Sequence, residues 1–376
     1  MPFTAPRRPL VAAGWMGGGA LLALVWSALS PETYAQITRH SWFRSPSGFT
    51  LTHLATQGLM TVFFLSVGLE LSREFLGGHR RHFGAPVLAA LGGMAGAGLC
   101  AAGAGEIFHH SALTRGWSVP MATDVAFALA ALAFVGPGLP KGLRNFILTL
   151  ALADDFFSVI VVSATTSSHL HVLYLVAGVV VLAAAILLRH RVPGLPLALV
   201  VTSALWWIFF RAGVEPALAG ALGGLLAVPS RRTVHLEALS TRLTSDLVLP
   251  LFAFVASGLA WPQIRGAGTL IGLVVLVRVV GKVLGITVVG VLARRLGLPL
   301  ELRVVHVLGA SLLCAMGFTV PLLVAGRLFG AASTTYGAFA AGLDLATVVG
   351  GVLGVLVLRR YSTPTGHETP VPPSPQ

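Results

Sequence analysis

Charge is what this sequence has least of. Only 10% of its 376 residues are charged and only thirteen are acidic, against roughly 25% charged residues in an ordinary soluble domain. With 55% hydrophobic residues and a mean hydropathy of +0.86, such a chain cannot clothe a water-facing surface, which excludes a soluble enzyme or binding module. Cysteine is almost missing as well. Cys100 and Cys314 both sit inside apolar runs, so there is neither a disulfide framework nor a metal site with ligand spacing. The net charge of +12 does not make nucleic acid a partner, because the basic residues form short clusters between apolar runs rather than one basic face.

What is there is apolar sequence in segments of membrane length. Twelve occur, near residues 9 to 30, 50 to 71, 84 to 105, 117 to 137, 143 to 163, 170 to 188, 194 to 210, 216 to 229, 244 to 260, 267 to 293, 304 to 326 and 336 to 358. Most reach the roughly 20 residues that a spanning helix needs; 216 to 229 is the short one. The first run, after Arg7 and Arg8, exceeds a signal-peptide core and reads as an uncleaved first helix. If the twelve segments alternate across the bilayer, seventeen Lys and Arg fall on the side of both termini and six on the other, with Arg278 and Lys282 left inside a helix. That asymmetry predicts cytoplasmic termini. The expectation is one all-α polytopic membrane domain over residues 1–360, with the lipid bilayer as its main partner. A Pro-, Ser- and Thr-rich tail over 361–376 is expected to be disordered and cytoplasmic.

The scarce acids are concentrated where they cost most. Asp124, Asp154 and Asp155 lie in apolar sequence between Trp117 and Ser158, and ionisable groups at membrane depth are expensive and functional by default. Pro120 precedes Asp124 in the fourth segment, and Gly317-Phe318-Thr319-Val320-Pro321 interrupts the eleventh. Paired interruptions of this kind point to a transporter's binding site. Asp154 and Asp155 project about 100° apart on a helix, so one is free to face an ion cavity and the other a partner. Lys282 is the obvious counter-charge, and Arg278, one turn earlier, is expected to pair with Asp344 of the twelfth segment. Gly92 and Gly96, at GxxxG spacing, suit close helix packing.

Six strings in order carry a family resemblance. They are M-T-V-F-F-L-S-V-G-L-E-L-S-R-E from Met60 to Glu74, A-T-D-V-A-F-A-L from Ala122, L-A-D-D ending at Asp155, L-P-L-F-A-F from Leu249, G-K-V-L-G-I from Gly281, and M-G-F-T from Met316. Together, over about residues 9 to 360, they resemble the NhaA family of bacterial sodium/proton antiporters. The resemblance implies two inverted repeats, helices 3–5 and 10–12, with discontinuous helices 4 and 11 crossing at midplane. It implies that Asp155 is the main ligand for transported Na⁺ or Li⁺, with Asp154 and Thr123 near it, and that Asp154 pairs with Lys282. It assigns Asp124, helped by Lys282, to offsetting the half-helix ends, and Glu70, Arg73, Glu74 and Glu237 to pH response. It implies electrogenic exchange in the bacterial inner membrane, no cofactor, and a homodimer in some members. The sequence departs from the family pattern at Gln57, Glu215, Ala238, Ala256 and Pro321.

Carboxylates bind either protons or a hard cation through the same oxygens, and alternating access turns that competition into exchange. Two other readings use the same acids. An intramembrane aspartyl protease also pairs membrane aspartates, but the chain has Pro216-Ala217-Leu218 without any G-x-G-D. A proton-linked carrier of another small solute is the other.

Overall fold

The computed structural model describes residues 7–40, 50–76, 80–136, 138–166, 171–189, 191–192, 194–227, 231–258, 264, 266–300, 302–331 and 333–362. The tail expected from 361 onward therefore lies outside the described residues beyond Ser362. Among the described residues, seven helices are long and apolar enough to cross a membrane: α1 (Leu10–Leu29), α2 (Leu51–Arg73), α3 (Phe83–Ile107), α5 (Gly142–Thr165), α9 (Val234–Ala256), α10 (Gly268–Arg295) and α12 (Thr334–Arg360). Four shorter apolar helices are α4 (Val119–Val135), α6 (Val172–Leu188), α7 (Pro196–Ala212) and α8 (Ala217–Leu226). The bent pair α11a (Val304–Cys314) and α11b (Thr319–Phe329), 46° apart, completes twelve. Each overlaps one of the apolar segments, the short 216 to 229 included; α9 departs most, starting at Val234 rather than near 244.

These helices are apolar all round, so their hydropathic pattern does not say which face is inside. The burial pattern does. Large side chains of α6 such as Leu173, Val179 and Leu187 point outward, while Asp154, Lys282 and Arg278 are fully buried. A surface of exposed Leu and Val over a polar interior is stable only with lipid around it.

Glycine decides which helices come closest. Gly92 and Gly96 of α3 lie directly on Gly281 and Gly285 of α10; a Cβ at Gly281 would stand 2.6 Å from the Ala97 Cα. Without a hydrophobic force between helices in lipid, such backbone contact is what holds them. Because Gly281 and Gly285 bracket Lys282, this contact also sets where the lysine enters the interior. A second seam joins α8 to α2, where a Cβ at Gly224 would meet the Leu65 carbonyl at 2.5 Å.

At one end of the molecule Glu215, in the short link between α7 and α8, forms a 2.8 Å ion pair with Arg327 of α11b. Burial pushes the Glu215 carboxyl up and Arg327 pulls it back, so the link is a charged tie between α11b and the α7–α8 hairpin.

Candidate functional site

The site begins with two helices that stop and restart. In α4, Pro120 has no amide hydrogen to continue a helix; it sits in a 3-10 turn, Val119–Met121, after which Ala122 is extended. Asp124 then caps the helix Val125–Val135, its Oδ1 accepting from the amides of Ala126 (3.1 Å) and Phe127 (3.3 Å). In α11 the helix ends at Cys314 and restarts at Thr319. Pro321 is not the breaker: it occupies the first turn of α11b, where a missing amide hydrogen costs nothing.

The two unwound stretches touch. The Asp124 amide donates to the Met316 carbonyl at 2.9 Å, and the Thr123 hydroxyl donates to the Cys314 carbonyl at 2.8 Å. Thr347 of α12 satisfies both backbone groups of Gly317, accepting at 3.1 Å and donating at 3.2 Å. Unwound backbone inside lipid is tolerated only when neighbours complete it in this way.

Charges then sort by helix end. The Asp124 Oδ2 accepts from the Thr319 hydroxyl (3.1 Å) and amide (3.4 Å), so one carboxylate serves the positive N-termini of both restarted helices. Arg278 serves the opposite ends. Its Nε donates to the Ala315 carbonyl at 2.7 Å and its Nη2 to the Ala122 carbonyl at 2.5 Å. Both are carbonyls left without helical partners where the first halves stop.

Lys282, one turn further along α10, donates to the Asp154 Oδ2 at 2.5 Å, both side chains being fully buried. Asp155, beside it on α5, is 1% exposed and its Oδ1 has no partner among the described residues, as is true of the Asp154 Oδ1. Asp154, Asp124 and Lys282 are the charges that act on it. A buried carboxylate oxygen with nothing to accept from is a standing demand for a proton or a cation. No cluster of three or more His, Cys, Asp or Glu suited to holding a metal occurs among the described residues.

A cavity of about 430 Å³ leads toward this centre. Its lining includes the charged Glu70, Arg144, Arg242 and Asp246 together with Asp124 and Thr319 of the two restarted helices. Asp154, Asp155 and Lys282 lie beyond that lining. Two π-turns occur, Leu54–Leu59 in α2 and Thr244–Val248 in α9, and Thr244, Ser245 and Asp246 of the second line the cavity. Such bulges recur at functional sites.

Arg73 meets Glu237 at 3.2 Å across α2 and α9, and Glu70 is in the cavity wall; the Glu74 side chain lies outside the described residues. Thus Thr123, Asp124, Asp154, Asp155 and Lys282 are brought together at the crossing; of the other group, Glu70 lines the cavity and Arg73 and Glu237 pair with each other.

One sequence expectation fails here: Arg278 does not pair with Asp344 but donates to the unwound carbonyls of Ala122 and Ala315. Lys282 bonds Asp154 and lies close enough to Cys314, where α11a ends, for the two to interact electrostatically, while the direct bonds to the freed carbonyls come from Arg278. Asp344 is half-buried on α12, next to outward Leu345 and Val348, with no ion pair among the described residues. Asp344→Asn is therefore expected to leave thermal unfolding in detergent unchanged within about 1 kcal/mol, or to raise stability. A loss of several kcal/mol would reveal a partner that the geometry does not contain. Thr319, quoted only as part of a motif, is a working member of the site.

Twelve spans, two of them broken and crossed over a buried Asp–Lys centre with a cavity leading to it, define a secondary ion transporter. The chain belongs to the Na⁺/H⁺ antiporter 1 family, whose pattern matches residues 9–358. It is 34% identical to the Na⁺/H⁺ antiporter NhaA of Frankia casuarinae, over 94% of this chain and 85% of that one. It is 35% identical to Na⁺/H⁺ antiporter NhaA 2 of Novosphingobium aromaticivorans, over 91% and 90%. Among solved structures, the sodium proton antiporter MjNhaP1 of Methanocaldococcus jannaschii has the same fold at 12% identity, with a TM-score of 0.53 over 92% of this chain and 97% of that one.

Proposed function

We propose that this chain is a secondary active antiporter exchanging protons for Na⁺ or Li⁺ across a bacterial inner membrane, with both termini cytoplasmic. The observation that carries the reading is the unpartnered, buried Asp155 oxygen beside the Lys282–Asp154 pair. Asp155 is the exchanged-ion ligand, with Asp154 and Thr123 in support, and it holds a cation or a proton but not both. The reading makes the cavity bordered by Glu70 and Asp246 the cytoplasmic approach, since Arg144 and Arg242 in its wall belong to the basic side of the chain. It also makes the exchange electrogenic, more protons entering than sodium ions leaving, and the physiological role sodium and pH homeostasis. The Arg73–Glu237 pair between α2 and α9 is the place where pH response would act.

The test is proteoliposomes of the purified chain with an imposed pH gradient, challenged in turn with NaCl, LiCl, KCl and choline chloride at neutral and alkaline pH. Collapse of the gradient is expected with Na⁺ and Li⁺ only. A response to none of the four cations would refute cation exchange and leave the proton-linked carrier of another solute as the reading to pursue.

A further inference from the structure

We propose that Arg278 is a positioning residue of the exchange site: it clamps the unwound ends of α4 and α11 to one another, and its fixed charge weakens the hold of the adjoining carboxylates on the transported cation. The inference rests on the antiport reading above and adds to it a residue that sets affinity.

Three observations carry it. First, a single guanidinium bonds carbonyls of both broken helices, Ala122 and Ala315, and its planar fork suits two acceptors where an ammonium would serve one. Second, the space around it is shaped for it: a Cβ at Gly317 would collide with the Arg278 head and stand 2.6 Å from the Ala122 carbonyl. Third, Arg278 has one terminal nitrogen left over. Its Nη1 is buried without a partner among the described residues, as are Asp154 Oδ1 and Asp155 Oδ1.

The charged and titratable groups that act on Arg278 are Asp154 of α5, Asp124 of α4 and Cys314 of α11a, with Lys282 one turn away on its own helix. Lys282 is committed to Asp154. Arginine keeps its charge in proteins, so the centre always contains one positive charge that neither leaves nor moves with the cargo. Three carboxylates facing a single lysine would bind a cation tightly and release it slowly. Conduction needs a site that holds its ion firmly enough to fill and loosely enough to empty, and a second, permanent cation moves the site toward the looser end.

The test compares wild type, Arg278→Gln and Arg278→Lys as full-length purified chains. Sodium affinity is measured by calorimetry at one alkaline pH, and exchange in proteoliposomes alongside. Arg278→Gln is expected to bind Na⁺ about tenfold more tightly while exchanging more slowly, and Arg278→Lys to restore the wild-type Kd to within about twofold. A purely structural arginine would lower the rate of the Gln variant without tightening Na⁺, and an unchanged or weaker Kd there overturns the inference. If Arg278→Gln is not recovered from membranes, Arg278→Lys decides alone: a wild-type Kd supports the charge role and a shifted Kd overturns it. Wild-type exchange in the same vesicles tests the antiport reading separately.

Discussion

Asp155→Asn is expected to abolish Na⁺- and Li⁺-dependent proton exchange and to leave the fold intact. Asparagine keeps the shape of the side chain and removes its charge. The remaining carboxylates do not replace it, since Asp154 is bound to Lys282 at 2.5 Å and Asp124 accepts four hydrogen bonds from the restarted helices. At an effective dielectric of ~20, a unit charge in contact with a cation contributes about 4 kcal/mol. With each 1.4 kcal/mol worth about tenfold in affinity, cation binding should fall by about a thousandfold. The fold has nothing to lose, because Asp155 stands beside the like charges of Asp154 and Asp124 and its Oδ1 has no partner among the described residues. Exchange traces and thermal melts of the purified variant check both halves. Wild-type exchange would remove Asp155 from the ion site, whereas a collapsed melting transition would make it structural.

Much of this architecture was legible in the sequence, for a reason specific to membranes. Lipid forces every span to be a long apolar run, so twelve runs announced twelve helices and the cost of burying charge singled out Asp124, Asp154, Asp155 and Lys282. Partnership was legible only between side chains. The Arg278–Asp344 pairing was the natural guess from opposite charges within neighbouring spans, but the true acceptors are the carbonyls of Ala122 and Ala315. Main-chain atoms have no signature in a sequence until the place where the helix unwinds is known. Pro120 located one break correctly; in α11 the visible proline followed the break, and the unwound residues Ala315 to Phe318 had only Gly317 to mark them. Crossing of the two breaks, through a bond from Asp124 to Met316, joins residues that no local pattern connects.

Division of labour between the two buried cations leads to the last expected result. Lys282→Met should destabilise the protein by about 3–5 kcal/mol, and Lys282→Met/Asp154→Asn by much less. The lysine and Asp154 are fully buried and bonded to each other, so removing one leaves an uncompensated charge, whereas removing both leaves two neutral side chains of similar volume. The double variant also tests whether the lysine is needed at the half-helix ends. If Lys282 also neutralised the half-helix ends, as the family resemblance suggests, the Met/Asn double variant would stay badly destabilised, the carbonyls of α4 and α11 having lost their cation. In this chain Arg278 occupies that position, and the crossing should survive without Lys282. Thermal unfolding of the two single variants and the double variant in one detergent closes the cycle. A coupling below about 0.5 kcal/mol would mean that the pair is not an energetic unit, and that the lysine's burial rests on contacts other than Asp154.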